Sequence, residues 1–151
     1  MFVQNRIPIL MASDHGGYAL KESCINRLKQ HRGMHECVDL GVYSDQRVDY
    51  PLVAQRLCEQ VLDRKAIGIL MCGTGIGVSI QANRYKGIRA ALVTSVEMAT
   101  LAKEHNDANV LCLGGRTTSC EQAMLYINAW LDATFEEGRH TRRIELLDCK
   151  L

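Results

Sequence analysis

The chain has 151 residues, of which 47% are hydrophobic and 23% charged, so it can build one globular core and is neither disordered nor fibrous. Its formal net charge of +1, without any block of like charge, gives no electrostatic case for a nucleic acid or an anionic membrane as partner. No apolar run approaches the length of a membrane span, and the short N-terminal patch, ended by Asp14 and His15, predicts a first strand rather than a signal peptide.

Apolar runs alternate with amphipathic stretches along the whole chain. The apolar runs are short and nearly continuous, which is typical of parallel strands buried on both faces. The predicted strands are Ile7–Ala12, Glu36–Leu40, Ala66–Cys72, Ile88–Val93 and Asn109–Gly114. The predicted helices run from about Gly17 to His31, from Pro51 to about Arg64, from the loop at 73–77 to near Gly87, from a Ser95 cap to His105, from a Ser119 cap to a break at Gly138, and from Arg139 to about Leu147.

This alternation, with no linker or internal repeat, predicts one α/β domain over residues 1–151. The expected architecture is a single three-layer α/β/α, Rossmann-like domain with a five-stranded parallel sheet. Ligands of such folds bind at the carboxyl ends of the strands, so the turns that follow the strands are the first place to look for a site.

Seven cysteines are scattered along the chain, and no two of them form a CxxC pair. Their odd number and spacing argue against a disulfide framework and against a structural zinc site, so a reducing cytoplasm is the expected location. Only Cys72 stands where a thiol could do chemistry. The other six are expected to be small buried or surface residues: Cys24, Cys37, Cys58, Cys112, Cys120 and Cys149.

Three of the turns that follow predicted strands carry reactive side chains together with glycines. They are SDHGG at 13–17, CGTGIG at 72–77 and GGR at 114–116. Each turn alone reads more simply as an ordinary loop, but three turns that converge on one edge of a sheet indicate a binding site.

The CGTGIG loop fits neither of the common nucleotide-binding patterns. No Gly-Lys-Ser/Thr follows it, and it lacks the GxGxxG spacing. Its glycines let successive N–H groups point into one concavity at a helix N-terminus, which favours an anion and also the thiolate of Cys72. A general base at the edge of an oxyanion cradle predicts a proton-abstraction site, in which the base removes a C–H proton and the amides hold the enediolate.

Two further clusters have both a simple and a functional interpretation. In EHNDAN, at 104–109, His105 could be no more than a helix C-terminal cap. In GRHTRR, at 138–143, Arg139 and Arg143 share a helical face, and such a pair is usually solvated, although it also suits a phosphate dianion.

Taken in order, these motifs resemble the type B ribose-5-phosphate isomerases, a family that also includes allose-6-phosphate and galactose-6-phosphate isomerases. The resemblance covers roughly Ile7 to Leu147 and rests on SDHGG, DYP at 49–51, CGTGIG followed by SIQANR, GIRA, HNDAN, LGGR and GRHTRR. It implies an aldose–ketose isomerase that uses no metal or cofactor, converts ribose 5-phosphate to ribulose 5-phosphate in the pentose phosphate pathway, and is active as a homodimer or a dimer of dimers.

The resemblance also implies a role for each motif residue. Cys72 is the base that moves a proton between C1 and C2 through a cis-enediolate, with Thr74 nearby. The loop amides, including those of Gly73, Gly75 and Gly77, stabilise that anion.

The other implied roles concern ring opening and the phosphate. His105 opens the furanose ring, Asp14 assists proton transfer at the sugar oxygens, and Asn106 binds the enediolate. The phosphate is assigned to His15, Arg116, Arg139 and Arg143, and Tyr50 or Asp49 lines the pocket.

One branch of the family has Ser in place of Cys72 and a Glu after the glycine loop. Here Val78 follows Gly77, so the chain resembles the cysteine branch, which favours ribose 5-phosphate. The galactose-6-phosphate enzymes pair two different chains, and neither the composition nor the motif spacing of this chain excludes such a second chain.

The positions of His105 and Asn106 predict a shared site. Cys72 and Asp14 follow strands, whereas His105 and Asn106 precede the fifth strand and should lie at the opposite edge of the sheet. A strand spans about 17–20 Å, which no hydrogen bond to a substrate crosses. We therefore expect His105 and Asn106 to serve the site of a neighbouring subunit.

Three alternatives to a ribose-5-phosphate isomerase remain. An isomerase of allose 6-phosphate or galactose 6-phosphate differs from it only modestly in pocket depth. A sugar-phosphate or nucleotide binder without activity could use the same fold, although it would need none of Cys72, Asp14 and His105. A thiol redox protein would need a second cysteine near Cys72, and no sequence neighbour supplies one.

Overall fold

A computed structural model describes residues 7–32 and 37–149, apart from the side chain of Arg32. Its strands are β1 (Ile9–Ser13), β2 (Cys37–Asp39), β3 (Ile67–Cys72), β4 (Ala90–Leu92) and β5 (Val110–Gly114). Its helices are α1 (Tyr18–Arg32), α2 (Tyr50–Arg64), α3 (Ile76–Ala82), α4 (Val96–Glu104), α5 (Cys120–Asp132) and α6 (Arg139–Leu147). No helix within these ranges is both long and apolar enough to cross a membrane.

The strands form one five-stranded sheet in the order β2-β1-β3-β5-β4, and every pair is parallel. The predicted α/β fold with a five-stranded parallel sheet is therefore confirmed. Since β1, β3 and β5 lie side by side in the middle of the sheet, the three glycine-containing turns that follow them leave the same edge next to one another. We call this the carboxyl edge, and the opposite side the amino edge.

Side chains from the two faces of the sheet build two separate core layers. On one face Met11, Ile69 and Leu111 pack with α1, α4 and α5, where Trp130 is fully buried. On the other face the alternate strand residues pack with α2 and α3. Burial on both faces explains why the strands read as continuous apolar runs, and it makes the sheet a rigid base for the turns at its ends.

Two helix ends differ from the sequence prediction. Helix α3 ends at Ala82 instead of near Gly87, because the Asn83 side chain turns back and exchanges two hydrogen bonds with the backbone of Ala90, at 2.8 and 2.9 Å. Helix α5 ends at Asp132, six residues before Gly138, and the chain continues extended from Ala133. There Glu136 N donates to Glu104 O at 3.0 Å, so this segment follows the end of α4.

The other bounds differ from the prediction by at most two residues. Strand β1 begins at Ile9 and includes Ser13, and β4 shortens to Ala90–Leu92. Glu36, predicted to begin the second strand, lies outside the described residues. The Ser95 and Ser119 caps are confirmed, the latter as a reciprocal capping box with Gln122, and α6 has the predicted bounds.

Candidate active site

The three turns at the carboxyl edge touch each other through their backbones. A Cβ atom added to Gly16 would lie 2.9 Å from Gly73 N, and one added to Gly115 would lie 2.3 Å from Gly16 O. Cross-turn hydrogen bonds join the same segments, from Gly115 N to Cys72 O at 2.8 Å and from Arg116 N to Gly73 O at 2.9 Å. These positions require glycine because a side chain would push the turns apart.

Cys72 is the last residue of β3, and its thiol is almost fully buried, with 5% of the residue exposed. Its Sγ accepts a hydrogen bond from Gly75 N at 3.1 Å. Gly75 reaches this position at φ +79°, and a Cβ there would lie 2.7 Å from the side chain of Leu92. The loop therefore folds back over the sulfur and aims a backbone N–H at it.

The loop amides are not all equally available to a bound anion. The Gly75 N–H is directed to Cys72 Sγ, and the Ile76 N–H lies 3.3 Å from Thr74 Oγ1. This leaves the amides of Gly73, Thr74 and Gly77, the last in the first turn of α3, as the better candidates for an oxyanion. Thr74 itself is exposed and so faces any incoming ligand.

Asp14 lies beside this loop with its carboxylate held in place. Only 6% of the residue is exposed, and Oδ1 accepts from Gly16 N at 2.8 Å and from Gly17 N at 3.1 Å. Both bonds engage the same oxygen, so the side chain is oriented while Oδ2 keeps the capacity to exchange a proton with a ligand.

Three more of the predicted residues surround the glycine loop. Arg116 Nη1 lies 3.0 Å from where a Gly73 Cβ would stand, and the Tyr50 ring lies 2.8 Å from the corresponding point on Gly77. His15 Nδ1 accepts from Val48 N at 3.4 Å, next to the start of α2.

The neighbouring thiols do not share the chemistry of Cys72. Burial raises the pKa of Cys58 to about 12 and holds that of Cys112 well above its usual value, so both stay protonated at neutral pH. Cys112 pairs with Leu70 and lies one diagonal step from Cys72, a Cα separation of about 8 Å. This exceeds the reach of a disulfide, so Cys112 is not the second cysteine that a redox protein would need.

His105 and Asn106 lie at the amino edge, on the far side of the sheet from Cys72. His105 follows the last turn of α4, and Asn106 O accepts from Arg89 Nε at 2.9 Å, just before β4. The β3 residues from Gly68 to Cys72, which pair with Val110 to Gly114, alone span about 13 Å. The structure therefore does not bring His105 or Asn106 to the Cys72 loop of the same chain.

Helix α6 places Arg139 and Arg143 at the amino edge as well. Both are exposed and flank His140, a buried residue that faces His105. The two imidazoles stack with centroids 4.3 Å apart and planes inclined by 14°. Desolvation, then the positive charge of His105 and of the two arginines, lowers the pKa of His140 and outweighs the opposing effect of Glu136.

Sequence reasoning missed Glu136 and His140. The Glu136 carboxylate lies 3.8 Å from His105 Nε2 and 3.5 Å from His140 Nε2. Within the described ranges, these three side chains are the only group of this kind close enough to hold a metal ion, with ligand atoms within 4.8 Å of one another. The available signal was the i, i+4 spacing of Glu136 and His140, but the two residues lie on opposite sides of the predicted break at Gly138, so no single helix relates them.

The structure thus divides the predicted site residues into two groups. Those at the carboxyl edge are Asp14, His15, Tyr50, Cys72, Gly73, Thr74, Gly75, Gly77 and Arg116. Those at the amino edge are His105, Asn106, Arg139 and Arg143. The first group contains a base, an anion cradle and one guanidinium, which suits proton abstraction next to a carbonyl, but it lacks His105 and the pair Arg139 and Arg143.

Comparison with known proteins agrees with this chemistry. Residues 9–147 match the family model described as Ribose/Galactose Isomerase. The chain is 41% identical to ribose-5-phosphate isomerase B of Escherichia coli K12 over 140 residues, which is 92% of this chain and 93% of that protein.

Solved structures give the same result. A ribose 5-phosphate isomerase from Thermotoga maritima superposes with a TM-score of 0.91 at 46% identity, covering 95% of this chain and 99% of that one. Ribose-5-phosphate isomerase B from Mycoplasma genitalium, solved with bound ribulose-5-phosphate, superposes at 0.87 with 42% identity and 93% coverage of both chains. The chain therefore belongs to the ribose/galactose isomerase family.

Proposed function

We propose that this protein is an aldose–ketose isomerase that interconverts ribose 5-phosphate and ribulose 5-phosphate, in the non-oxidative branch of the pentose phosphate pathway. The observation that carries the proposal is the buried Cys72 sulfur, held by the Gly75 N–H at the mouth of a glycine loop, with the carboxylate of Asp14 beside it. The Mycoplasma genitalium relative with bound ribulose-5-phosphate supports this choice of substrate.

In the proposed reaction the Cys72 thiolate removes the proton from C2 of the open-chain aldose and later returns it to C1. The electron pair of the broken C–H bond moves into a cis-enediolate, whose negative charge is held by the amides of Gly73, Thr74 and Gly77 and by Asn106. Asp14 moves protons between the two sugar oxygens. Val78 cannot act as a base, so no alternative to the thiol follows the loop.

Ring opening comes before this step and is assigned to His105. An imidazole can take the proton from the anomeric hydroxyl and supply one to the ring oxygen, because its two nitrogens exchange protons near neutral pH. Its position at the amino edge supports a role on substrate that is held by another subunit. The same holds for Arg139 and Arg143, so we propose that the phosphate is clamped by His15 and Arg116 of one chain and by these two arginines of the next.

We propose that the active form is a homodimer, alone or paired into a tetramer, and that all 151 residues work as one catalytic domain. Exposed apolar side chains support an interface near the glycine loop. Ile76 and Ile80 lie one turn apart on α3 and are 51% and 53% exposed, and Val96 and Met98 on α4 are each 45% exposed. The free thiols support a reducing compartment, which we take to be the cytoplasm.

A direct isomerisation assay that compares ribose 5-phosphate, allose 6-phosphate and galactose 6-phosphate tests the proposal. We expect ribose 5-phosphate to have the highest kcat/KM. A higher kcat/KM for either hexose phosphate would make that sugar the substrate. Binding without turnover of any of the three would contradict the proposal that the protein is an enzyme.

A further inference from the structure

The group formed by His105, Glu136 and His140 contains a buried nitrogen that makes no hydrogen bond with the described residues. His140 is 5% exposed, and its Nε2 atom has neither solvent contact nor a hydrogen-bond partner among the described residues. A buried polar atom left unpaired costs about 1–3 kcal/mol, so such atoms call for an explanation. This one points at the Glu136 carboxylate, 3.5 Å away.

The spacing of the three side chains fits a tetrahedral metal ion. Metal–nitrogen and metal–oxygen bonds of about 2.0–2.2 Å at tetrahedral angles separate neighbouring ligand atoms by about 3.3–3.5 Å. Glu136 Oε2 lies 3.5 Å from His140 Nε2 and 3.8 Å from His105 Nε2, so the carboxylate is spaced to share one ion with either imidazole. Two imidazoles and one carboxylate form a ligand set found in open zinc sites, where water takes the fourth position.

The three ligands differ in exposure, which gives a metal ion a way into the site. His140 is fixed by burial, whereas the side chains of Glu136 and His105 are 50% and 35% exposed. In the present arrangement the rings of His105 and His140 are stacked, and a single ion cannot lie in the plane of both. Binding therefore turns the more exposed His105 ring out of the stack.

We propose that His105, Glu136 and His140 bind a divalent transition-metal ion such as Zn²⁺, with His140 as the preformed ligand and His105 as the ligand that is recruited. Hard cations are excluded because Mg²⁺ and Ca²⁺ need several oxygen ligands and the group offers one carboxylate. The positive charges of Arg139 and Arg143, which flank His140, further disfavour a cation that is held by charge alone.

Occupation of this site has a consequence for the enzyme, and this step rests on the proposed function. A coordinated imidazole cannot exchange a proton with the sugar. The metal therefore inhibits ring opening reversibly by taking His105, rather than supporting the reaction.

Calorimetric titration of the whole metal-free protein with Zn²⁺ tests the site. We expect one ion per chain, no heat of binding with Mg²⁺, and at least about ten-fold weaker Zn²⁺ binding in both Glu136→Gln and His140→Gln. Glu137→Gln is the matched control, since it removes the same charge one residue away and should bind as the wild type does. If His140→Gln does not fold, the exposed Glu136→Gln variant decides the result.

Titration with Co²⁺ separates this site from the seven cysteines. We expect a tetrahedral visible spectrum without the intense sulfur-to-metal charge-transfer band that thiolate ligands produce. No Zn²⁺ binding, unchanged binding in Glu136→Gln, Mg²⁺ binding of equal strength or a thiolate band would each overturn the site.

The inhibitory step is tested on the same samples. Turnover should fall in parallel with Zn²⁺ occupancy, recover with EDTA and lose its zinc sensitivity in Glu136→Gln. Binding without inhibition would overturn this step alone. A metal-free protein without turnover would contradict the proposed function, while the calorimetric result would still decide the metal site.

Discussion

The two edges of the sheet are built in different ways. At the carboxyl edge the turns after β1, β3 and β5 touch backbone to backbone, and glycine at positions such as 16 and 115 is what permits the contact. At the amino edge side chains make the connections, as when Arg89 reaches the carbonyl oxygens of Asn106 and Asp107 at 2.9 and 2.8 Å. The carboxyl edge therefore presents fixed backbone N–H groups, which suit a transient anion, whereas the amino edge presents side chains.

The largest effect is expected at the carboxyl edge, from the loss of the base. Cys72→Ala should lower kcat by about 10²–10⁴-fold while the protein still binds ribose 5-phosphate, because the phosphate contacts remain. Cys72→Ser is the matched control, since it keeps an acceptor for the Gly75 N–H with a hydroxyl that is a much poorer base. Steady-state kinetics and a binding titration measure both quantities, and a Cys72→Ala variant with wild-type kcat would remove the thiol from the mechanism.

A second test asks whether the two edges meet across an interface. Cys72→Ala and His105→Asn chains carrying different affinity tags are co-expressed, and the mixed dimer is purified through both tags. If each site combines Cys72 of one chain with His105 of the other, one of the two sites is intact, and about half of the wild-type turnover returns. Each variant alone should stay nearly inactive.

The mixed dimer also has a clear negative outcome. A mixed dimer as inactive as its parents would place both residues of each site in a single chain. A dimer of Cys72→Ala chains carrying both tags is the control for the purification.

Glycine substitutions compare the two edges directly. Gly115→Ala places a methyl group 2.3 Å from a backbone oxygen that cannot move without separating the turns, so the free energy of unfolding should fall by about 2–3 kcal/mol. Gly138→Ala, next to the arginine helix at the amino edge, meets no atom within 4 Å, so its cost comes only from the strained backbone at φ +57° and ψ −123°, about 1–2 kcal/mol.

Urea unfolding of both variants measures this difference, and kinetics at a permissive temperature should show the larger loss of activity in Gly115→Ala. Equal losses of stability would mean that the turns at the carboxyl edge are less tightly coupled than their contacts indicate.

The smallest effect is expected from a side-chain link at the amino edge. Asn109 accepts from Arg89 N and donates to Gly87 O, both at 2.8 Å. Asn109→Ala should lower the free energy of unfolding by about 1–2 kcal/mol. Asn109→Asp keeps the acceptor for Arg89 N and loses the donor to Gly87 O, so its stability should lie between those of the wild type and of Asn109→Ala. If Asn109→Asp loses as much stability as Asn109→Ala, the whole effect belongs to the bond with Gly87.

The sequence by itself determined the fold class and the carboxyl-edge group. Short apolar runs between amphipathic stretches have few architectural solutions, and the ends of parallel strands must share one edge of a sheet. Cys72, Asp14 and Arg116 could therefore be placed together from their positions after strands alone. The position of His105 before the fifth strand was likewise enough to assign it to the opposite edge.

Only the tertiary structure decided which contacts these residues make. The engagement of the Gly75 N–H by the Cys72 sulfur depends on how the loop closes against Leu92, a residue of another strand. Glu136 and His140 come close to His105 because α5 ends at Asp132. The segment that follows is then held against the end of α4 by the hydrogen bond from Glu136 N to Glu104 O. Periodicity records which face of an element is buried, but long-range hydrogen bonds and close packing fix where an element ends and what its last residues touch.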